Sequence, residues 1–404
     1  MIVHSHLRWD FVWQRPQQIV SRLARSRPVL YVEEPVFLDD TRMGSLEIVQ
    51  PHANVYRAIP RMRAELRTRY DDAARLTRSM VQALISEGGQ FAGAFDNAIQ
   101  WFYTPMPAPT MLDAFGEVGV VYDCMDELSQ FRFAPPELVD SEAALLERAD
   151  VVFTGGRKLF DSKSRHHPNV HFFGCGVDAD HFAKARSEST PVAAELRDLP
   201  RPILGYFGVI DERLDYALID RLADSFEHGS VVFVGPVVKV DPNELPKRSN
   251  IHWLGQRPYE RLPEYVKGFD VCLMPFALNS ATEYINPTKT LEYMAAGKPI
   301  VSTPVWDVVR NFTPIVEVAT SSEFVYAVST AMHMESSRLE AGIARARRST
   351  WESTVAEMDR LLADAVTSKR RHATARQAIA VAGSNASAKG SSRRNDGDST
   401  ALSA

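Results

Sequence analysis

Asn286-Pro287-Thr288-Lys289-Thr290-Leu291-Glu292-Tyr293-Met294-Ala295-Ala296-Gly297-Lys298-Pro299-Ile300-Val301-Ser302-Thr303 is the stretch that decides the fold of the second half of this chain. It predicts a loop, one short helix and a buried strand. Pro287 suits the first turn of a helix, where its missing N–H is not needed. Apolar residues then recur at helical spacing until Gly297 ends the helix, and Pro299 opens an extended run.

The charges of this stretch predict a ligand. Lys289 and Glu292 are three positions apart and therefore neighbours on the first turns, close to a helix N-terminus that favours anions. A lysine, a carboxylate and free backbone N–H groups suit a phosphorylated ligand that carries hydroxyl groups, such as a nucleotide sugar. The spacing alone also fits an amphipathic surface helix with a solvated Lys289–Glu292 ion pair.

The composition describes a soluble protein of two domains. A chain of 404 residues is too long for one domain of ordinary size. Its 45% hydrophobic and 24% charged residues are typical of globular cores and surfaces, and a net charge of −5 argues against general nucleic-acid binding. Three distant cysteines fit no metal or disulfide spacing, which indicates a cytoplasmic location. We expect neither a signal peptide nor a membrane span.

The first half of the chain alternates strands and helices. The predicted strands are Met1–Ser5, Val29–Glu33, Ala98–Tyr103, Val118–Tyr122, Val151–Thr154 and Val170–Phe173. The predicted helices are Gln14–Ala24, Arg61–Ser86, Pro136–Ala149 and Arg157–His166. Alternation of this kind predicts a parallel sheet with right-handed crossovers. Residues 1–183 should therefore form one doubly wound domain.

A polar, proline-containing segment at 184–202 separates this domain from a second series. Its predicted strands are Ile203–Phe207, Val231–Val234, Ile251–Leu254, Val271–Met274, Ile300–Ser302 and Ile315–Val318. The fold class is thus α/β, with two Rossmann-like doubly wound domains that face each other across a cleft. The second domain should span 203–350, a closing helix 351–367, and a basic, Ser- and Ala-rich tail at 368–404 should be disordered.

The segment at 286–303 resembles the donor-binding element of the retaining, nucleotide-sugar-dependent glycosyltransferases with the GT-B fold (glycosyltransferase group 1). In that family a glutamate of the pattern "E-x-M-A-x-G-x-P-V-V" binds the donor ribose hydroxyls, and Glu292 matches it. A second family glutamate eight positions upstream is Tyr284 here, and Glu283 lies one residue out of register. The closing helix of such proteins crosses back to the first domain.

The resemblance implies further donor-binding residues. Gly208 lies in the turn after the first strand of the second domain, where a glycine lets the backbone approach a diphosphate. Arg213 and Lys289 match the family's diphosphate clamp, although Arg213 could instead belong to a local cluster with Asp211. The predicted donor-binding set is Gly208, Arg213, Arg257, Glu283, Asn286, Thr288, Lys289 and Glu292.

The segment His6-Leu7-Arg8-Trp9-Asp10-Phe11-Val12-Trp13-Gln14-Arg15-Pro16-Gln17 follows the first strand and should face the cleft. It is similar to the opening of bacterial cell-surface glycosyltransferases, "H-x-R-W-D-F-V-x-Q-R-P-Q". Its tryptophans could stack on sugars and its arginines could meet acidic groups, or the tryptophans could be buried in the core. The predicted acceptor-binding set is His6, Arg8, Trp9, Gln14 and Arg15.

Asp123 and Asp126 are the predicted catalytic residues. Many family members carry a histidine–aspartate pair at this point, and here Met125 replaces the histidine. Retaining transfer in this fold is described as a front-face reaction in which the leaving phosphate helps to deprotonate the acceptor. The two aspartates could alternatively bind acceptor hydroxyls or cap the next helix. No metal or other cofactor is expected, because arginine and lysine would neutralise the diphosphate.

The function expected from this pattern is transfer of a sugar from a nucleoside diphosphate to a cell-surface glycan or lipid-linked acceptor. Arginines in the predicted helix at 61–82 could also contact an anionic inner membrane leaflet peripherally, or merely form a solvated face. A nucleotide-sugar epimerase or hydrolase and a non-catalytic nucleotide-sugar-binding protein remain alternatives. A dehydrogenase is disfavoured because no G-x-G-x-x-G follows either domain's first strand.

Overall fold

The computed structural model describes residues 1–39, 44–131, 134–280 and 282–391. The first domain is built on a twisted sheet whose strands within this part of the chain are β1 Ile2–Ser5, β2 Val29–Glu33, β3 Val36–Leu38, β4 Ser45–His52, β5 Val55–Arg63, β6 Ile99–Phe102, β7 Gly119–Cys124, β8 Val151–Thr154 and β9 Val170–Phe172. The strand order is β3-β5-β2-β1-β6-β7-β8-β9, with β4 antiparallel to β5. The central strands are buried on both faces, as continuous apolar runs in a parallel sheet require.

Helices cover this sheet on both sides. They are α1 Arg15–Leu23, α2 Tyr70–Ile85, α3 Ala108–Met111, α4 Leu138–Arg148 and α5 Arg157–Lys163. The chain runs from β1 outward to β2 in one direction and returns to place β6 on the other side of β1. This reversal is a topological switch point, where loops from neighbouring strands diverge and leave a crevice for ligands.

The predicted helix Arg61–Ser86 is wrong over its first part. Strand β5 continues to Arg63, a 3₁₀ turn follows at Ala64–Thr68, and α2 begins only at Tyr70. The arginines that we expected on one basic helix are therefore divided among a strand, a turn and a helix, so they do not form a single cationic face. Strands β3, β4 and β5 were not predicted and extend the sheet at one edge.

The second domain has a parallel sheet in the order β12-β11-β10-β13-β14-β15. Its strands are β10 Ile203–Phe207, β11 Ser230–Val234, β12 Ile251–Trp253, β13 Val271–Met274, β14 Ile300–Ser302 and β15 Glu317–Val318. The switch point here lies between β10 and β13. Both sheets are doubly wound, so the predicted fold class of two Rossmann-like domains across a cleft is confirmed.

The remaining helices are α6 Ala179–Ala183, α7 Tyr216–Ser225, α8 Leu262–Gly268, α9 Lys289–Ala295, α10 Trp306–Phe312, α11 Phe324–Ala331, α12 Ser336–Arg347 and α13 Trp351–Ser391. Trp351, Met358 and Leu362 of α13 are buried in the core of the first domain, so this helix returns to it from the second domain. Helix α13 continues past residue 367 into the segment that we expected to be disordered. Residues 392–404 of that segment lie outside the described residues.

The segment between the two sheets is tied to the second domain. Phe182, Ala185 and Leu196 are buried in the same apolar cluster as strands β10 and β13. The change from one core to the other therefore occurs before Phe182. No helix within the described residues is both long and apolar enough to cross a membrane.

Candidate functional site

The two domains enclose a cleft of about 430 Å³. Its walls are loops that leave the carboxyl ends of the strands in both sheets, which is the usual ligand position in open α/β sheets. The first domain contributes the loops after β1, β7 and β8, and the second contributes those after β10, β11, β12 and β13 together with the start of α9. Two substrates bound in the cleft would therefore meet between loops whose ends are fixed by the two sheets.

The stretch that opened the sequence analysis forms one wall of this cleft. Thr288 precedes the first residue of α9, and Glu292 lies one turn inside the helix. Glu292 is only 8% exposed, yet it lines the cleft. Burial raises the pKa of the Glu292 carboxyl, and the nearby Lys289 charge opposes that rise. A polar ligand that donates hydrogen bonds would stabilise the carboxylate in this position.

Lys289 lies in the cleft between aromatic rings rather than in an ion pair with Glu292. Its Nζ is 5.1 Å from the ring centre of Tyr206 and 5.7 Å from that of Phe276. Among the described residues, no carboxylate oxygen lies within the 4.0 Å that defines an ion pair with Lys289. Burial, with a contribution from Arg213, lowers the pKa of the Lys289 ammonium. The alternative of a solvated Lys289–Glu292 ion pair is therefore wrong.

Gly208 provides the space that Lys289 occupies. Its φ of +137° is a conformation that residues with a Cβ rarely adopt. A Cβ at this position would lie 2.7 Å from Lys289 Cε and 2.9 Å from Nζ. The glycine thus lets the lysine reach the carboxyl end of β10, where a ligand can bind the backbone and the ammonium together.

Arg213 supplies the second cation of this wall. Its guanidinium makes a bidentate pair with Asp211, with Nη2 to Oδ2 at 2.7 Å and Nε to Oδ1 at 2.9 Å. The local cluster that we considered as an alternative therefore exists. Arg213 nevertheless lines the cleft, and its charge contributes to the lowered pKa of Lys289. Asp211 fixes the guanidinium, and Arg213 still lines the cleft where a ligand can reach it.

Three glycines line up at the ends of the neighbouring strands β10, β11 and β12. The Gly208 amide donates to Val234 O at 2.9 Å, and the Gly235 amide donates to Gly255 O at 2.9 Å. A Cβ on Gly235 would lie 1.9 Å from Gly208 O, so only glycine fits there. Gly235 was missed by the sequence analysis, although a glycine directly after the buried strand β11 was a usable signal.

Arg257 lies in the loop after β12 and also lines the cleft. Its Nε donates to Tyr265 Oη at 2.8 Å, and its Nη1 donates to Gln256 O at 2.9 Å. Tyr259 in the same loop was not predicted. Its ring stacks on His181 at 4.5 Å, and its hydroxyl accepts from Gln18 of the first domain at 3.2 Å.

The loop after β1 forms the facing wall. Trp9 is 5% exposed and packs edge-on against Tyr31 and Trp13, so the alternative of a core tryptophan is correct for Trp9. Trp13 is only half-buried and faces Tyr259 across the cleft, with ring centres 6.3 Å apart. Gln14 also lines this wall. Gln256 of the second domain hydrogen-bonds to Phe11 O and joins the two walls.

The structure separates the two predicted catalytic aspartates. Asp123 is fully buried and pairs with Arg15, whose Nη2 lies 2.8 Å from Asp123 Oδ1. Arg15 also donates to Phe173 O at 2.9 Å, which fixes the guanidinium within the first domain. Asp126 instead lines the cleft. Burial raises the pKa of the Asp126 carboxyl, and the Arg213 charge opposes that rise.

Several other predicted residues do not face the cleft. Glu283 is exposed and forms a 2.7 Å ion pair with Lys158 of the first domain, so it does not join Glu292. Arg8 pairs with the buried Glu33 at 2.9 Å, outside the cleft. His6 does not line the cleft either, and burial lowers its pKa to about 4.

Asn286 and Thr288 line the cleft and connect it to the first domain. Asn286 Nδ2 donates to Gly155 O at 3.1 Å, and the Thr288 hydroxyl donates to Cys175 Sγ at 3.2 Å. Cys175 donates in turn to Asn286 O at 3.0 Å. Cys175 was not singled out by the sequence, because nothing in its neighbourhood along the chain indicates this tertiary contact.

A metal site does not emerge from the donor set. Within the described ranges, no group of three or more His, Cys, Asp or Glu side chains could hold a metal ion. The charged residues that line the cleft are Asp10, Arg15, Asp126, Arg213, Arg257, Glu260, Lys289 and Glu292. Two cations on one wall can bind a phosphate-bearing ligand directly.

Residues 201–333 match the family described as Glycosyl transferases group 1. The Bacillus subtilis protein TuaH, named as a teichuronic acid biosynthesis glycosyltransferase, is 26% identical over 220 residues, which cover 50% of this chain and 54% of TuaH. The matched part thus spans about half the length of that relative.

Solved structures agree with the fold along nearly the whole chain. The sucrose-phosphate synthase of Thermosynechococcus elongatus superposes with a TM-score of 0.66 at 14% identity, covering 91% of this chain and 99% of that one. The UDP-forming α,α-trehalose-phosphate synthase of Burkholderia xenovorans gives 0.64 at 15% identity, covering 90% and 98%. Anabaena HepE in complex with UDP gives 0.59 at 12% identity, covering 90% and 99%. At these identities the likeness shows the fold.

Proposed function

Residues 201–333 match the group 1 glycosyltransferases and the whole chain has the GT-B fold, and from this premise we propose that the protein is a nucleotide-sugar-dependent glycosyltransferase. It transfers a sugar from a nucleoside-diphosphate sugar to a glycan or lipid-linked acceptor of the cell surface. The single observation that carries the proposal is the pair of cations, Lys289 and Arg213, at the carboxyl ends of the strands beside the buried Glu292.

The diphosphate of the donor binds Lys289 and Arg213. The Lys289 ammonium is desolvated and lacks a carboxylate partner within the described residues, so an anion would replace the solvation it has lost. Gly208 admits the phosphate to the backbone at the end of β10. Asp211 keeps the Arg213 guanidinium in place before the donor arrives. The Lys289 and Arg213 cations contact the leaving diphosphate and stabilise the negative charge that develops on it.

The ribose and base extend from the diphosphate along the second domain. The Glu292 carboxylate accepts hydrogen bonds from the ribose hydroxyls, in line with the resemblance to the family motif. The base lies toward the loops after β11 and β12, which line the cleft with Gly235 and Arg257. The neighbours HepE, in complex with UDP, and the UDP-forming synthase make uridine the first base to test.

The acceptor enters from the first domain. Trp13 and Gln14 line its side of the cleft, and Asp126 lies on the same domain within the electrostatic reach of Arg213. We assign Asp126 to the acceptor hydroxyl that attacks the sugar, where it orients that hydroxyl and accepts its hydrogen bond. The leaving phosphate can take the proton in a front-face transfer with retention. Catalysis then rests on positioning and on charge stabilisation.

The similarity to TuaH, named for teichuronic acid biosynthesis, favours a cell-surface polysaccharide as the product. A lipid-linked acceptor would bring this enzyme to the inner face of the membrane. That contact does not depend on one basic helix, because the arginines of 61–78 are divided among three elements.

A thermal-shift panel of UDP-, GDP- and ADP-sugars tests the donor site. We expect one nucleotide to raise the Tm of the wild type, and Glu292→Ala to weaken that nucleotide by about ten- to a hundredfold, since hydrogen bonds to a charged group contribute about 1.5–3 kcal/mol. Glu283→Ala is the matched control, because Glu283 pairs with Lys158 outside the cleft. Equal binding by wild type and Glu292→Ala would contradict the assignment.

Product analysis then tests the reaction. With donor and an extract that contains acceptor, a transferase releases nucleoside diphosphate and labels a glycan. Release of free sugar or an epimerised donor in the absence of acceptor would instead identify a hydrolase or an epimerase. Tight binding with no turnover in either mixture would identify a binding protein.

A further inference from the structure

The first domain contains a second cavity, of about 230 Å³, that shares no lining residue with the cleft. Its floor is formed by the carboxyl ends of β1 and β2, and helix α2 covers one side. Thr104, which follows β6, completes the floor. Strands β2, β1 and β6 are neighbours in the sheet, and the chain reverses its direction of winding between β1 and β6. The cavity therefore lies at the topological switch point, where open α/β sheets bind ligands.

The polar side chains of the floor are already hydrogen-bonded within the protein. His4 Nε2 lies 2.8 Å from Gln100 Oε1, and Ser5 Oγ accepts from the Tyr31 hydroxyl at 2.7 Å. Glu33 accepts from the Trp9 amide and from Arg8, each at 2.9 Å. These groups have little capacity left for a sugar, whose many hydroxyls would need partners here.

The rest of the wall is apolar. It consists of Val32, Pro35, Phe37, Ala73, Ala74, Pro107 and Met111. Ala73, Ala74 and Met111 are almost fully buried, and the alanines of α2 leave the space that larger side chains would fill. A cavity whose polar groups are already hydrogen-bonded within the protein and whose wall is apolar favours an aliphatic ligand. At 230 Å³ it is smaller than the roughly 300–1,000 Å³ of whole-ligand pockets, so it suits part of a larger molecule.

The mouth of the cavity carries charges of both signs. Arg67, Tyr70 and Glu34 are exposed at its rim, and the Arg67 guanidinium lies 5.8 Å from the ring centre of Phe37. Glu33 inside is neutralised by Arg8. An apolar chain could thus enter beside Arg67 while a polar or anionic head group stays in water.

The two cavities are separated by a short piece of backbone. Ser5 lines the second cavity and Trp9 lines the cleft. Four residues of extended chain span at most about 14 Å, which bounds the distance between the two walls. Glu33 holds the Trp9 amide and so fixes the loop that divides them. One molecule could place an apolar group in the second cavity and a polar group in the cleft.

We propose that the second cavity binds a single aliphatic chain of a lipid-linked acceptor and thereby positions its head group toward the cleft. This inference rests on the proposed function, which it deepens by naming the class of acceptor. The chain contacts Phe37, Ala74 and Met111, and the β1–α1 loop is the wall over which the head group reaches Asp126.

Calorimetric titration of the full chain with geranyl phosphate, below its micelle concentration and without donor, tests the cavity directly. We expect saturable binding by geranyl phosphate, weaker binding by two-chain dihexanoyl phosphatidylglycerol, and none by inorganic phosphate or glucose. UDP should not displace the probe, because the cleft is a separate site. Displacement by UDP, or binding of glucose and phosphate that equals that of geranyl phosphate, would overturn the proposal.

Ala74→Leu fills the cavity, and we expect it to weaken geranyl phosphate by about tenfold or more. Ala83→Leu is the matched control, since Ala83 is an exposed alanine of the same helix. If Ala74→Leu does not fold, a photoreactive geranyl phosphate on the wild type should label the segments around Phe37 and Ala74. Labelling confined to the cleft loops would contradict the proposal. Chain binding without any sugar transfer would refute the proposed function alone, whereas transfer without chain binding would refute this inference alone.

Discussion

Lys289 and Arg213 share one wall of the cleft, but their environments differ. Arg213 has a fixed partner in Asp211, whereas Lys289 lies between Tyr206 and Phe276 without a carboxylate at ion-pairing distance in the described part of the chain. Burial and the Arg213 charge both favour the neutral amine of Lys289. An anionic ligand would favour the ammonium instead. Donor binding and the protonation of Lys289 are therefore linked.

This linkage predicts how donor affinity depends on pH. In the free protein the pKa of Lys289 is lowered from its ordinary value of 10.5, and it should rise again when a diphosphate binds. At a pH between the pKa of the free protein and that of the complex, the complex therefore holds more protons than the free protein. Affinity should be highest below the lowered pKa and should fall as the pH rises through it. Lys289→Arg should remove this dependence, because a guanidinium stays charged. Titration of the bound nucleotide from pH 6.5 to 9.5 measures it.

Lys289→Met supplies the control for that titration. It should bind about ten- to a hundredfold more weakly at pH 7, since it loses a charged hydrogen bond of about 1.5–3 kcal/mol, and its affinity should not change with pH. A wild-type affinity that is constant up to pH 9.5 would show that Lys289 does not contact the diphosphate.

Single residues of the site were predictable where the cause is local. Lys289 and Glu292 were found because a contiguous motif places them on one helix, and Gly208 because it follows a buried strand. Glu283 could not be placed from the sequence, because its ion pair with Lys158 joins residues that are 125 positions apart. The same holds for Tyr259, whose contacts with Gln18 and Trp13 exist only when the domains meet.

At the scale of elements, a buried ion pair secures the β1–α1 loop. Arg15 is the first residue of α1 and is 3% exposed, and Asp123 lies on β7. Burial raises the pKa of Asp123, and the Arg15 charge opposes that rise. The pair connects α1, which follows β1, to β7, which lies two strands from β1 in the sheet. It therefore fixes the β1–α1 loop, which carries Trp13 and Gln14.

Removing one member of this pair should destabilise the first domain. Asp123→Ala leaves the Arg15 guanidinium buried without its partner, at a cost of about 3–5 kcal/mol, which lowers the Tm by on the order of 10 °C in a domain of this size. The double variant Arg15→Met/Asp123→Leu should recover most of that loss. Differential scanning calorimetry makes the comparison.

Arg148→Ala is the control, because Asp113 and Arg148 form an exposed pair of little expected stabilisation. An unchanged Tm together with lost transfer in Asp123→Ala would instead assign Asp123 to the reaction.

The elements themselves were predictable where the hydrophobic pattern is regular. The buried parallel strands and the helices after them follow from apolar runs and helical spacing. Strands β4 and β5 did not, because each contains a proline and both are partly exposed at the sheet edge. The arginines from Arg61 onward have a spacing that also suits a helix, and only the pairing of β5 with β2 and β4 makes the first of them strand residues.

At the scale of the whole molecule, polar contacts hold the two domains on both sides of the cleft. On one side Asp307 Oδ2 accepts from the Arg157 amide at 3.0 Å, and Glu283 pairs with Lys158. On the other side Gln18 donates to Tyr259 at 3.2 Å. The Arg157 amide lies at the start of α5, where a helix offers its N–H groups no acceptor of its own, so an aspartate of the second domain caps a helix of the first. Asp307 is only 2% exposed, which excludes water from this contact.

Asp307→Ala should therefore affect catalysis through domain alignment. The donor residues all lie on the second domain, so nucleotide affinity should stay within about twofold, while loss of a helix cap should cost about 1 kcal/mol of stability. The rate of sugar transfer should fall by about tenfold, because a small displacement of the acceptor from the donor sugar slows the reaction strongly. Asp215→Ala is the matched control: Asp215 caps α7 inside the second domain, accepting from the Leu218 amide at 2.9 Å. It should lose similar stability and keep its transfer rate. Equal rates for both variants, measured with saturating donor, would show that the Asp307 contact does not set the geometry of the cleft.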